Sequence, residues 1–405
     1  MYCEKIDLKD FRNYRRLELG LPRGLVVFQG DNAAGKTSLL EAIYLLATTK
    51  SPRARTEQEM VNLETTPEYG APAFTRLSAV VDRKEGGIEA EILIIRDGDG
   101  TDRERAGGNA SRKRVKLNGV PRRAIDLIGQ INVVLFSPED LDLIIGTPSL
   151  RRRYLDITLS QTDHRYLRTL QEYARVLAQR NGFLRNLKER QRTNRGAAAA
   201  GRNEMTIWDN ELIRGGAYII RRRRECLVGL NERAVGLHAH LIGLDNELQP
   251  SFELVYRPSF SLDGVEEEAG LALRFEEQLE KLRPQELQRG VSLAGPHRDD
   301  FGFMVEGSDI GVYGSRGQQR TAVLALKLAE VGWMEKQTGD QPILMLDDIL
   351  SELDVQRRQY VLDTVQIGAE QVLITSTDLA LFGDLPQLQE RASLFRVENG
   401  KVNRL

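Results

Sequence analysis

The 405-residue sequence predicts a mixed α/β chain: an α/β head interrupted by a mostly helical insertion. Three observations predict it. Strand and helix patterns alternate at both ends of the chain, a long helical tract fills the middle, and a glycine-rich motif near the start has its acidic complement near the end. The head is expected to take residues 1–150 and 290–405, and the insertion residues 151–289.

Lys5–Leu8 and Arg16–Leu19 read as short strands, and Gly24–Gln29 as a buried apolar strand that feeds the glycine-rich loop. Gly35–Thr48 has helical spacing, with Leu39, Leu40, Ile43 and Leu46 on one side. Arg76–Asp82 and Ile88–Arg96 read as paired strands, and Val115–Leu117 runs into Asn118-Gly119, a hairpin signal. Ile131–Phe136 is another apolar strand, and a helix begins within Pro138–Ile145.

The chain then turns helical. His164–Glu189 carries Leu167, Leu170, Ala174, Leu177 and Leu184, close to a heptad seam. Asn194–Asn203, with its small residues, reads as a mobile connection to a second long helix from about Met205 to His240. Phe252–Tyr256 reads as a strand and Glu266–Arg283 as a helix. Strands resume at Asp300–Val305 and Gly311–Tyr313, followed by an amphipathic helix at Gly317–Lys336. Ile343–Leu346 and Val372–Thr375 read as buried strands, and Ser393–Val397 with Lys401–Val402 as a closing hairpin.

Bulk composition narrows the function classes. A net charge of −2 means that any nucleic-acid contact comes from local patches. Arginine outnumbers lysine, which suits bidentate phosphate contacts and equally suits GC-rich coding or heat adaptation. Two cysteines, Cys3 and Cys226, with no C-x-x-C pair exclude a disulfide framework and a thiolate zinc site. They fit a reducing compartment, and with no signal-peptide pattern and no apolar run long enough to cross a bilayer the expected location is the cytoplasm, with no membrane partner.

Gly30-Asp31-Asn32-Ala33-Ala34-Gly35-Lys36-Thr37 matches G-x-x-x-x-G-K-[ST] between a strand and a helix. Glycines let backbone N–H groups approach phosphate oxygens, and the helix N-terminus favours an anion. Lys36 reaches the β- and γ-phosphates of ATP, and the Thr37 hydroxyl suits Mg²⁺, with Ser38 next in the loop. Asp347 ends a buried strand, where it would hold the Mg²⁺ through water, and Asp348 would orient or deprotonate the attacking water. Ser315-Arg316-Gly317-Gln318 opens a long helix about one helix length before that strand. In isolation it reads equally as a serine helix cap.

Position favours a signature element of the ATP-binding-cassette kind, and Ser351-Glu352-Leu353-Asp354 then resembles the D-loop of that class. Together with Phe11-Arg12-Asn13-Tyr14, Phe136–Leu141, Arg151–Asp156 and Gly295–Asp300, these motifs resemble the RecF recombination-mediator family, in order and over almost the whole chain. The resemblance implies an ABC-type, SMC-like P-loop ATPase head with an inserted helical arm. It implies ATP sandwiched in a face-to-face homodimer, with Ser315, Gly317 and Gln318 of one subunit on the γ-phosphate held by Lys36 of the other. Arg12 and Asn13 stand where related heads touch the nucleotide; a plain strand-to-turn role is the other reading. The family further implies binding to single- and double-stranded DNA at gaps and junctions, and RecO-like and RecR-like partners in loading a RecA-like recombinase.

Two departures stand out. Ser376-Thr377-Asp378 occupies the place of a transporter-type histidine, leaving Thr377 as a γ-phosphate donor. Ser137-Pro138-Glu139 replaces the glutamine that usually follows the Ile131–Phe136 strand, and slow hydrolysis is expected. For DNA, Arg112, Lys113, Arg114 and Lys116 with Arg122 and Arg123 place six cations and no acid around one hairpin. A solvated hairpin carries the same pattern. Arg151–Arg153 at a helix root should pair with nearby acids, and Arg221–Arg224 must fan around its helix. His297 suits a structural hydrogen bond better than a metal site.

Two other functions fit parts of this pattern. A transporter's nucleotide-binding subunit would lack the long inserted arm and carry the missing histidine. An SMC-like DNA-bridging protein would need far longer arm helices than the roughly 40–50 Å available here at about 1.5 Å per residue.

Overall fold

The computed structural model describes residues 1–65, 72–96, 112–193, 201–243, 251–378 and 392–405. Most of the expected connection at 194–203 lies outside them. The chain divides into two compact units, 1–140 with 327–405, and 141–326. The expected arm, 151–289, falls wholly within the second unit, which also takes 141–150 and 290–326.

In the first unit, β1 (Tyr2–Phe11), β2 (Tyr14–Gly20), β3 (Gly24–Gln29) and α1 (Lys36–Thr48) are followed by β4 (Phe74–Asp82), β5 (Ile88–Ile95), β6 (Arg112–Leu117), β7 (Val120–Arg122) and β8 (Val133–Phe136). Six of these strands form an antiparallel sheet in the order β2-β1-β4-β5-β6-β7. Alternation puts Ile6, Leu8, Leu17, Leu19, Leu77, Ile92 and Ile94 on one buried face and Lys9, Arg16, Arg76 and Arg114 on the other.

The second unit holds α2 (Asp142–Ile145), α3 (Pro148–Thr162), α4 (His164–Thr193), α5 (Gly201–Leu241), β9 (Phe252–Arg257), α6 (Glu268–Arg289), β10 (Asp300–Val305), β11 (Ser308–Asp309) and α7 (Ile310–Tyr313). The start of α8 (Arg316–Thr338) also belongs to it. The seam along α4 differs from the expected one. Leu167 and Leu184 are buried but Ala174 is exposed, and the line of closest packing runs at seven-residue steps through Tyr166, Tyr173, Arg180 and Leu187.

An arginine holds a core position there because its charge is fully matched. Arg180 is 0 % exposed and bonds Asp209 at 2.8 Å, Glu286 at 2.6 Å and the Ser292 hydroxyl at 2.7 Å. The expected strand at Gly311–Tyr313 is instead the single turn α7. The Asp309 carboxylate accepts the Gly311 N–H at 2.8 Å, and this cap ends β11 after two residues.

The chain returns to the first unit through the rest of α8, then β12 (Ile343–Asp347), α9 (Val355–Gly368), β13 (Gln371–Ser376), β14 (Ser393–Glu398) and β15 (Lys401–Arg404). The second sheet of this unit has the order β15-β14-β3-β13-β12-β8, parallel except for β15. β3 and β12, from opposite ends of the sequence, are separated only by β13. Their carboxyl ends therefore open on one edge, where α/β sheets bind ligands.

Candidate functional site

β3 runs into the loop Gly30–Gly35 and then α1. Ala33 (φ 64°) and Gly35 (φ 119°) take the left-handed conformation that turns the chain back on itself. At Gly35 a Cβ atom would lie within 2.9 Å of both Asn13 and Tyr14, so only glycine fits. Asn13 donates to the Ala34 carbonyl at 2.9 Å and the buried Tyr14 hydroxyl to that of Gly35 at 2.9 Å, clamping the loop from β1–β2. Lys36, 6 % exposed, donates to the carbonyls of Gly30 (2.7 Å) and Asp31 (2.9 Å). Burial depresses its pKa, while Asp348, Asp347 and Asp31 work against the shift.

Asp347 closes β12 beside this loop. Its Oδ1 accepts the Thr37 hydroxyl at 2.8 Å and the Thr375 hydroxyl at 2.8 Å, and Thr375 in turn accepts the Asp348 N–H at 2.9 Å. Burial raises the pKa of Asp347, and the two threonine hydroxyls oppose the rise. Asp348 sits at φ 53°, in the left-handed region, and its Oδ1 is buried with no hydrogen-bond partner. Both features cost stability, and such costs gather at functional sites.

Arg12 is also left-handed, at φ 52°. Its guanidinium makes a fork with the buried Glu41, Nε to Oε2 at 2.9 Å and NH2 to Oε1 at 2.7 Å, and donates to the Glu59 carbonyl at 2.9 Å. From the other side, the turn of the β14–β15 hairpin closes on the loop, the Gly400 N–H donating to the Ala34 carbonyl at 3.1 Å. These elements surround an open cleft of about 1180 Å³, lined by Arg12, Asn13, Asn32, Lys36, Thr37, Ser38, Asp347 and Asp348 among others.

Glu41, Thr375 and the Asn399–Lys401 turn, which no motif announces, complete this site with Tyr14 of the Phe11–Tyr14 motif. So do Arg53 and Glu139, which approach each other to 3.8 Å beside Asp347. Of the residues outside the motifs, only Thr375 carried a signal, as a hydroxyl at the end of an apolar strand. Thr37 and Asp347 are the hard oxygen donors that Mg²⁺ takes together with phosphate oxygens, and the unpartnered Asp348 oxygen marks where further polar contacts fit.

The family model described as RecF/RecN/SMC N terminal domain matches residues 2–402. The DNA replication and repair protein RecF of Chloroflexus aurantiacus is 44% identical over 402 residues, 99% of each chain. The chain belongs to the RecF family. The RecF of Herpetosiphon aurantiacus is 42% identical over 403 residues, again 99% of each. Among solved structures, the recombination mediator protein RecF-ATP of the RecFOR pathway superposes with a TM-score of 0.83 at 30% identity, covering 100% of this chain and 97% of that one. An SMC head domain from Pyrococcus furiosus shares the fold, with a TM-score of 0.54 at 15% identity, covering 100% and 96%.

The remaining RecF-type motifs lie outside this cleft. Ser315–Gln318 belongs to the second unit and is exposed. Ser315 caps α8: its hydroxyl accepts the Gln318 N–H at 3.3 Å, and the Gln318 side chain accepts the Ser315 N–H at 2.8 Å. The carboxylate of Asp354 caps α9 through the Arg357 N–H at 2.9 Å. The Thr377 carbonyl accepts from Gln29 at 3.5 Å.

The hairpin cations do not form the single acid-free patch that the sequence suggests, because alternation splits them between faces. Lys113 lies on the side of Val115 and pairs with Glu57 at 2.6 Å. Lys116 pairs with Glu91 at 2.7 Å and Arg123 with Asp126 at 3.1 Å. The acids come from other elements. Arg114 and Arg122 are exposed, and Arg112 starts β6 opposite Ile95. Arg151 forks onto Asp300 (2.6 and 2.8 Å), Arg221 and Arg222 share Glu225 while Arg223 and Arg224 bond the carbonyls of Pro296 and Val265, and the Tyr173 hydroxyl bonds His297 at 2.7 Å.

Proposed function

We propose that the protein is an ATP-dependent recombination mediator of RecF type whose ATP site works as a dimerisation switch on DNA. Thr37 held by Asp347, beside the unsatisfied Asp348 oxygen, carries the reading, since this arrangement prepares the loop for a nucleotide. Backbone N–H groups of Ala33–Thr37 face the phosphates, and Lys36 exchanges two loop carbonyls for β- and γ-phosphate oxygens. Arg12, with two edges already fixed by Glu41 and Glu59, turns toward the cleft, and Asn13 keeps the loop closed. Mg²⁺, when bound by Thr37 and Asp347, neutralises phosphate charge. Asp348 accepts a proton from the attacking water, and Thr375 holds both acids in place.

Ser315, Gly317 and Gln318 stand exposed on the start of α8, free to meet a nucleotide bound by a second copy, with Asp354 and Thr377 in supporting roles. ATP then closes a homodimer on gapped or junction DNA and slow hydrolysis opens it. RecO-like and RecR-like proteins are the partners in loading a RecA-like recombinase. Among the described residues, no helix is long and apolar enough to cross a membrane.

Sedimentation and DNA binding with and without ATP test this. Wild type should dimerise and bind DNA more tightly with ATP, whereas Ser315→Arg should bind ATP and stay monomeric. A wild type indifferent to ATP would sink the switch, and a Ser315→Arg protein that dimerises normally would sink the trans contact.

A further inference from the structure

The open face of the antiparallel sheet carries a charge pattern that the nucleotide site does not use. In register, Arg16 lies opposite Lys9, Lys9 opposite Arg76, Arg76 opposite Leu93 and Leu93 opposite Arg114. One straight row across β2, β1, β4, β5 and β6 therefore carries four cations, over about 19 Å at roughly 4.8 Å per strand. Arg16, Lys9 and Arg114 are exposed, and among the described residues none of the three has a carboxylate within ion-pair distance. Lys9 lies over the Phe74 ring at 4.9 Å, and Arg76 is shared with Glu91 at 2.7 Å.

The next row, Glu18, Asp7, Ser78, Glu91 and Lys116, is net acidic. On the other side of the cationic row lie the half-buried Phe74 and Ile95. A polyanion is thus attracted along one line and repelled from the line beside it, with apolar surface available on the opposite flank.

We infer that this face is a nucleic-acid track, on which Arg16, Lys9 and Arg114 contact phosphates of a strand laid across the sheet. The inference rests on the reading that the protein acts on DNA; it keeps Arg114 of the hairpin and moves the rest of the contact onto the sheet. Arg16 also borders the nucleotide cleft, so the track begins at the ATP site. The row is invisible to a search for clustered basic residues, because strand pairing assembles it from segments far apart in sequence.

The test is fluorescence anisotropy of the full chain on labelled duplex and single-stranded DNA, with ATP, across a salt series. Lys9→Glu/Arg114→Glu should bind at least about tenfold more weakly than wild type, with the salt slope smaller by about 2 on duplex and somewhat less on a single strand. Loss on both DNAs is expected, and loss on one alone identifies that form as the strand carried. Arg122→Glu, on the hairpin's other face, should bind within about twofold of wild type.

Unchanged affinity and slope in the double variant overturns the track, as does an equal loss in Arg122→Glu. If the double variant melts early, Lys9→Gln/Arg114→Gln replaces it, with a slope again smaller by about 2. A wild type that binds neither DNA overturns the functional reading itself; a wild type that binds while the variant matches it overturns only the track.

Discussion

The proposed hydrolysis turns on Asp348. Its left-handed backbone and unpartnered Oδ1 cost stability, and the hydrogen bond from its N–H to Thr375 keeps it there. Asn has nearly the same shape and tolerates left-handed φ, but cannot take up a proton from water. Asp348→Asn should therefore lower ATP turnover by about a hundredfold or more while ATP affinity stays near wild type and the ATP-bound dimer persists. Single-turnover hydrolysis alongside nucleotide binding separates the two effects. A parallel loss of binding would make Asp348 structural.

At the scale of elements, the β14–β15 hairpin matters more than its place at the end of the sequence suggests. Gly400 has φ 73°, and a Cβ there would lie 2.4 Å from the Asn13 carbonyl oxygen. Its N–H also holds the Ala34 carbonyl at 3.1 Å. Gly400→Ala must push the hairpin off the loop, at a cost on the order of 1–3 kcal/mol. The expected result is a lower melting temperature and about tenfold weaker ATP binding, read with a fluorescent ATP analogue. Unchanged ATP affinity would mean that the hairpin only covers the loop.

For the whole molecule, two buried histidines set an acid limit. His238 stacks on Phe252 with centroids 4.8 Å apart and an unpartnered Nδ1, and burial pushes its pKa down to about 4. His297 is pushed down to about 4 by burial and the charge of Arg298. The folded protein keeps both neutral while the unfolded chain takes up protons below about pH 6.5, so their contribution is complete above that pH and lost as pH falls toward 4. For His238 this amounts to roughly 3 kcal/mol. Asp140, raised to about 6 chiefly by burial and opposed by Lys327, acts the other way: its folded form is favoured at low pH and loses ground as pH rises through that value. The difference between wild type and His238→Phe isolates the histidine. Urea unfolding should show the variant gaining relative to wild type between pH 7 and pH 5, and a constant gap would refute it.

Local spacing and the order of motifs suffice to read the strand–loop–helix of Gly30–Thr37, the acidic end of β12 and the helical middle from the chain. What completes each site emerges from packing between distant segments. Thr375 holds Asp347 because β13 lies between β3 and β12. Arg180 belongs to the core because Asp209 and Glu286 reach it across the insertion. Lys113, Lys116 and Arg123 lose their apparent freedom to Glu57, Glu91 and Asp126, while Arg16, Lys9, Arg76 and Arg114 become one row. Charge compensation and strand register are relations between distant segments, fixed by burial and backbone pairing rather than by neighbours along the chain.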